Sequence, residues 1–321
     1  MASKHTASEL FAAALALSLL MPFAISAEPL PPELENSYKN FRKVAENEMG
    51  SFLNMRSYSL ENITLIMREI TYHDAGMLDA NNSEIGRRYG VDISGSTRMA
   101  EEYLKRNVIE PLKRNRSITL ETGDVIDFRD LSEPELLELL FYYVRDHIRM
   151  AGPQDVPEGD RWEANLPGLG RFVVSRDKIV QFPTETVSLG RGGICYDKAL
   201  LLGTLLEIEG YKVAYGYYVS MAVNLGPVRL PLPGYHSYVL VKDEGWGIGN
   251  WTVGGAKDMN GKAADGKWIV LDPLYSPSYA PNMQMVGEHR AVGFAETPPW
   301  AEGLIREQKG SIIPSELVFI L

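Results

Sequence analysis

The only cysteine in this chain of 321 residues, Cys195, follows the glycine-rich stretch Gly190-Arg-Gly-Gly-Ile and opens an apolar run that closes at Gly210. Glycines that permit a tight turn and close backbone approach, followed by a run of that length, predict a helix beginning at or near Cys195. A thiol at a helix start meets unpaired backbone N–H groups and the positive end of the helix dipole, and both favour thiolate over thiol. Asp197 falls in the first turn of the same helix, where a carboxylate acts as a cap. The glycines do not make a phosphate loop, because no Gly-Lys-Ser/Thr follows them. A lone cysteine taken by itself is either a small buried side chain or a reactive thiol; its neighbours decide between the two.

Downstream, Tyr211-Lys-Val-Ala-Tyr-Gly-Tyr-Tyr-Val reads as one strand and Tyr235-His-Ser-Tyr-Val-Leu-Val as a second, with His236 at its start. Lys267-Trp-Ile-Val-Leu-Asp-Pro reads as a third, with Asp272 at its end and Pro273 as the stop. A helix-start thiol, a strand-start imidazole and a strand-end carboxylate suit thiol acyl transfer when they converge at one sheet edge. The imidazole then takes the thiol proton, while the carboxylate fixes the ring tautomer and stabilises its cation.

The turn G-x-G-G-x-C-x-D, the helix-ending glycine, the strand bearing H-S-Y-V and the strand W-I-V-L-D-P follow one another in an order that resembles the transglutaminase-like superfamily, including its bacterial and archaeal cysteine proteases. The resemblance covers roughly residues 132–290. It implies a papain-like α+β core, a nucleophile helix on an antiparallel sheet, preceded here by a helical N-terminal domain. It further implies Cys195 as nucleophile, His236 as general base and acid, and Asp272 as the orienting carboxylate. The backbone N–H of Cys195 becomes one oxyanion donor. Gln181 is the candidate for a second, alongside its reading as an ordinary polar residue of a strand or loop. No cofactor and no metal are implied. The chain departs from the pattern in two places. Ile194 precedes the cysteine where many relatives carry an acidic residue, and a Gly-rich insert, residues 243–266, separates the second and third strands. The insert, which contains Trp246 and Trp251, is read as a hairpin that covers or lines the cleft, with Trp246 as an exposed aromatic. Its Asp258-Met-Asn-Gly lacks the remaining ligands of a calcium loop. Arg191-Gly-Gly before Ile-Cys also resembles arylamine N-acetyltransferases, although Tyr196-Asp197 replaces their aromatic-Glu pair and only about fifty residues follow Asp272.

The elements expected to position this site are mostly helical on the N-terminal side. Residues Asn36–Glu46 and Ser59–Ile70 carry apolar side chains at helical spacing, the second with a Ser cap. Ser96–Arg114 repeats the pattern with Met99, Tyr103, Leu104 and Ile109 on one stripe, and Pro111 is expected to kink or end it. His73, with no second ligand nearby, reads as a surface or helix-end residue. Ser132-Glu-Pro-Glu starts a strongly apolar helix through His147 whose Phe141, Tyr142 and Tyr143 belong to a core. Residues 151–170 read as a long irregular loop. The resulting division is a signal segment (1–27), a helical accessory region (28–131), the catalytic domain (132–290) and a C-terminal extension (291–321).

The formal net charge of -10 argues against nucleic acid and anionic membranes as partners. Residues Leu10–Ala24 form an uncharged apolar stretch broken by Pro22 and followed by small residues, an export signal. Cleavage after Ser26 places Ala24 three back, whereas cleavage after Ala27 places Ile25 there. The alternative is an uncleaved anchor, since the run is just long enough to span a bilayer. Sequons at Asn62, Asn81, Asn115 and Asn250 suit a secreted or cell-surface chain. The functional expectation is hydrolysis of peptide or isopeptide amides, in a protein, peptide or cell-wall polymer substrate. Transfer to an amine, as in protein-glutamine cross-linking, is the second reading, and an inactive cell-surface binding module the third.

Overall fold

The computed structural model describes residues 27–49, 60–81, 83–90, 94–166, 170–175, 181–193, 195–225, 228–246, 251–252, 267–273 and 318–319. Side chains are described at these positions except 44–49, 60–64, 161–175, 216–225, 228–236, 251–252, 270 and 318–319. The export segment through Ser26, Ser59, Ile194, Asn250, the Asp258 stretch and all of the C-terminal extension but residues 318–319 lie outside the described residues.

The chain is a mixed helical and antiparallel-sheet protein. The first helices are α1 (Pro32–Met49), α2 (Leu60–Asp74) and α3 (Glu84–Tyr89). Next come α4 (Thr97–Leu104), a π-turn (Lys105–Ile109) and α5 (Glu110–Asn115), which form one continuous helical run. Pro111 neither ends nor breaks that run. It occupies the first turn of α5, directly after the π-turn, where its missing N–H is tolerated. Tyr103, Leu104, Val108 and Ile109 are buried across the π-turn, whereas Met99, expected on the same stripe, is 37% exposed.

A short hairpin, β1 (Ser117–Thr119) and β2 (Val125–Asp127), leads to α6 (Glu133–Tyr142) and a second π-turn (Tyr143–His147). Glu135 accepts from the Ser132 backbone N–H at 3.2 Å, closing the start of α6. The stretch after β3 (Arg149–Met150) is not all loop. Two 3-10 turns precede β4 (Arg161–Leu166) and β5 (Gly170–Ser175), an antiparallel hairpin in which Trp162 pairs with Val174 and Ala164 with Phe172. The Pro, Gly and acidic residues concealed an alternation that the paired strands use.

Then come α7 (Pro183–Leu189), β6 (Arg191–Gly192) and α8 (Cys195–Ile208). The main sheet follows, built from β7 (Val213–Leu225), β8 (Val228–Lys242), β9 (Trp251–Thr252), β10 (Lys267–Leu271) and β11 (Val318–Phe319) in the order β11-β7-β8-β10-β9. The β7–β8 hairpin runs well beyond the expected strands, so His236 lies inside β8 rather than at its start. A register shift between Tyr218 and Ser220 takes up the irregularity near Pro233.

One contiguous core joins the helical half to the sheet. It takes in Tyr38 and Phe41 of α1, Ile66 and Ile70 of α2, and Leu139 and Leu140 of α6. It continues through Leu201 and Leu205 of α8 to Tyr215, Val239 and Leu271 of the sheet. Helix α8 is the centre of this arrangement, apolar on every side and buried from Tyr196 to Leu206. Gly203 lets the sheet approach it closely: a Cβ there would stand 2.2 Å from the Tyr215 hydroxyl, which bonds to Thr71 Oγ1 of α2 at 2.9 Å. Tyr215 thus passes α8 and ties β7 to the helical layer. Among the described residues, no helix is long and apolar enough to cross a membrane, and no group of three metal-binding side chains occurs.

Candidate active site

Cys195 is the first residue of α8, a thiol outside any disulfide that is neither fully buried nor fully exposed. The turn before it is fixed from several sides. Gly190 closes α7 in the left-handed conformation, with φ 63°. Strand β6 then pairs in parallel with β3, and the Ala151 N–H donates to the Gly192 carbonyl at 2.8 Å. Asp155 binds Arg149 at 2.5 and 2.6 Å, and Arg191 donates to the Asp155 carbonyl at 3.2 Å. Arg149 is the main reason the Asp155 carboxyl is held down at about 2, with the Gly152 N–H assisting.

Inside the turn, Asp197 is fully buried and accepts from the Gly193 N–H at 2.7 Å and from the Gln181 N–H at 3.3 Å. The cap expected of Asp197 therefore reaches two segments at once. Gln181, 5% exposed, lies in the connection just before α7, and its Oε1 accepts from the same Gly193 N–H at 3.0 Å. With Oε1 committed, the Nε2 end of the amide is the donor left for another group.

The Gln181–Thr184 connection is gripped on its other side by a second buried carboxylate. Asp74 accepts from the Thr184 N–H and Thr184 Oγ1, each at 3.0 Å, and from the Tyr38 hydroxyl at 3.0 Å. His73 Nδ1 meets Asp74 Oδ1 at 2.8 Å and its Nε2 meets Ser96 Oγ at 3.0 Å. His73 does stand at a helix end, but it is 1% exposed, not a surface residue; the buried Asp74 and Ser96 account for its place. Phe182 stacks on Tyr38 with ring centroids 3.7 Å apart, and Arg42 pairs with Glu185 of α7.

One turn beyond Cys195, Lys198 is 2% exposed and donates from Nζ to the Arg145 carbonyl at 2.9 Å, within the π-turn that ends α6. Burial brings its ammonium down to about 7, opposed by the carboxylates of Asp146, Glu121 and Asp272. Arg145 itself binds Asp146 at 2.5 and 2.7 Å and lies 4.7 Å from the Tyr142 ring centroid. The one basic residue in a mostly apolar helix was the available signal for this cluster. Residues as distant in sequence as Asp74 and Thr184 offered none.

Strand β10 pairs directly with β8, Leu271 opposite Val239, so the insert does not displace it; Trp251 and Thr252 instead pair on the outer side of β10. Trp246 does not stand exposed. It is half-buried, donating from Nε1 to Glu133 Oε2 at 3.0 Å and packing edge-on to Tyr211. Asp272 follows β10 immediately and is partly accessible. Continuing the register by one residue sets it beside Tyr238, two residues along β8 from His236. The side chain of His236 is outside those described, and the register shift begins beside it.

The arrangement thus brings Cys195, Gln181, Asp197 and Lys198 together at one helix start, with Asp272 close enough to act on Lys198. Among known proteins, no family model, no curated protein and no solved structure matches the chain. The transglutaminase-like resemblance accordingly rests on motif order and the residues themselves.

Proposed function

We propose that the chain is an exported thiol acyl-transfer enzyme with a papain-like core, hydrolysing amide bonds of peptide or isopeptide type. The observation that carries this reading is Cys195 as the accessible first residue of α8, behind a turn whose backbone is held by Asp197 and Gln181. A fixed turn keeps the Cys195 N–H in place without reorganisation.

In the proposed cycle His236 removes the Cys195 proton and Sγ attacks the amide carbonyl carbon. The oxyanion receives the Cys195 N–H and Gln181 Nε2. Collapse breaks the C–N bond, and His236 returns the proton to the leaving amine. Water, deprotonated by His236, then attacks the thioester and releases the acid, restoring the thiol. Asp272 keeps the imidazole oriented throughout. Water is the default acceptor; an amine in its place gives the cross-linking product.

Iodoacetamide labelling of the native protein at about pH 6 tests the first step, since an activated thiolate reacts there and an ordinary thiol barely does. Labelling of Cys195 is expected, and its rate should fall in His236→Ala. A native protein that labels only after unfolding sinks the proposal. Incubation with peptide amides and peptidoglycan-like amides, followed by trapping of a thioester on Cys195, then identifies the acyl donor; Cys195→Ser should trap nothing.

A further inference from the structure

A cavity of about 320 Å3 lies away from Cys195, walled by α5, β1 and the π-turn that ends α6. Its volume is near the lower end of small-molecule sites. Leu112 and Ile118 give it apolar walls, and Tyr143 and His147 line it with rings stacked 5.9 Å apart at 15°.

The polar groups around it have one character. Tyr143 is 3% exposed, and its phenol oxygen, which bonds to no described residue, is not among the polar atoms sealed from solvent. Burial pushes that phenol up, so it remains a donor at any ordinary pH. His147 Nε2 is committed to the Thr119 carbonyl at 2.9 Å, and Asn115 Nδ2 to the Ser117 carbonyl at 3.0 Å. Arg114 stands exposed at the rim with no ion pair to a described residue. No acidic side chain lines the cavity, in a chain whose net charge is -10. A hydroxyl that opens on a cavity and has no protein acceptor is free to donate to a bound one. A rim guanidinium suits a carboxylate, and flat apolar walls suit a ring.

We propose that this cavity is a binding site for a small aryl carboxylate, its ring between the Leu112/Ile118 wall and Tyr143, and its carboxylate accepting from the Tyr143 hydroxyl and Arg114. The site is independent of the acyl-transfer reading.

Benzoate is the probe, titrated into the full chain by calorimetry or saturation-transfer NMR, with benzamide as the uncharged control. Benzoate should bind saturably with Kd of ~1 mM or tighter, and benzamide about tenfold more weakly. Tyr143→Phe and Arg114→Gln should each weaken benzoate by about tenfold. Tyr143→Phe should keep its unfolding midpoint, because the hydroxyl has no partner to lose, so weakened binding there is not a folding failure. Failure of benzoate to saturate the wild type, binding of benzamide as tight as benzoate, or undiminished binding in either variant would overturn the assignment.

Discussion

Two fully buried carboxylates hold the short connection from Gln181 to Thr184, and they hold it differently. Asp197, at the start of α8, gathers the backbone N–H groups of Gly193 and Gln181. Asp74, at the end of α2, gathers the Thr184 N–H and hydroxyl, the Tyr38 hydroxyl and the His73 ring. The first is a local grip on the residues that shape the turn before the thiol. The second is a long-range grip whose partners come from three separate elements. A carboxylate that joins distant elements should govern folding, and one that shapes a turn should govern chemistry.

Asp74→Ala is the strongest test of that division. It leaves several buried donors without an acceptor, at ~1–3 kcal/mol for each that finds no new partner. A total loss of ~4 kcal/mol is expected in urea denaturation, with offsetting relaxation already included. At low temperature, where the variant remains folded, Cys195 should alkylate at close to the native rate. A large fall in that rate, with native circular dichroism, would break the distinction between the two carboxylates.

Asp197→Asn should reverse the pattern. The amide retains one acceptor oxygen, so stability should drop by only ~1–2 kcal/mol. The alkylation rate should fall much further than in Asp74→Ala, because Gly193 and Gln181 lose their common anchor. Equal rates in the two variants would mean that Gln181 and the Asp155 clamp suffice to hold the turn.

How far each grip could be read from sequence follows the same line. Asp197 was legible because a carboxylate in the first turn of a helix has a local job, and the glycines marked where that helix begins. The stop at Pro273 marked the end of β10 in the same local way. Asp74 and His73 were not legible: their partners Thr184 and Ser96 are brought in by tertiary packing. Helix α7, Pro-Thr-Glu-Thr-Val-Ser-Leu, was hidden too, because its β-branched residues are poor helix formers. It is held by its contacts with Asp74 and Arg42 rather than by propensity. The hairpin of β4 and β5 was masked by loop-like composition, and the length of β8 by its prolines.

Two groups on α8 extend the comparison to pH. Burial raises Glu207 from 4.5 to about 7, so between those values the folded chain binds more protons and stability falls as pH rises. Burial lowers Lys198 from 10.5 to about 7, so above 7 the unfolded chain binds more protons and stability rises towards 10.5. Together they place a minimum near neutrality in the stability profile. Lys198→Met should abolish the alkaline rise and leave the acid side intact, and Glu207→Gln should do the converse. A wild-type profile that is flat from pH 7 to 10.5 would contradict the burial of Lys198.

The smallest effect is expected at the third carboxylate around the turn. Asp155 pairs with Arg149, whose side chain is 51% exposed, so solvent screens the interaction and Asp155→Asn should cost about 0.5 kcal/mol. The sign of its pH dependence is opposite to that of Glu207. Its folded carboxyl is lowered from 3.8 to about 2, so its contribution is complete above 3.8 and disappears as pH falls through 2. At neutral pH, raising the salt concentration should remove most of the difference between wild type and variant, because the pair is accessible to counterions. The Gly193 N–H, held by Asp197 and Gln181, should be unaffected, and so should the alkylation rate. If Asp155→Asn slowed alkylation as much as Asp197→Asn, the parallel pairing of β3 and β6 would depend on the ion cluster, and the outer clamp would belong to the chemistry as well.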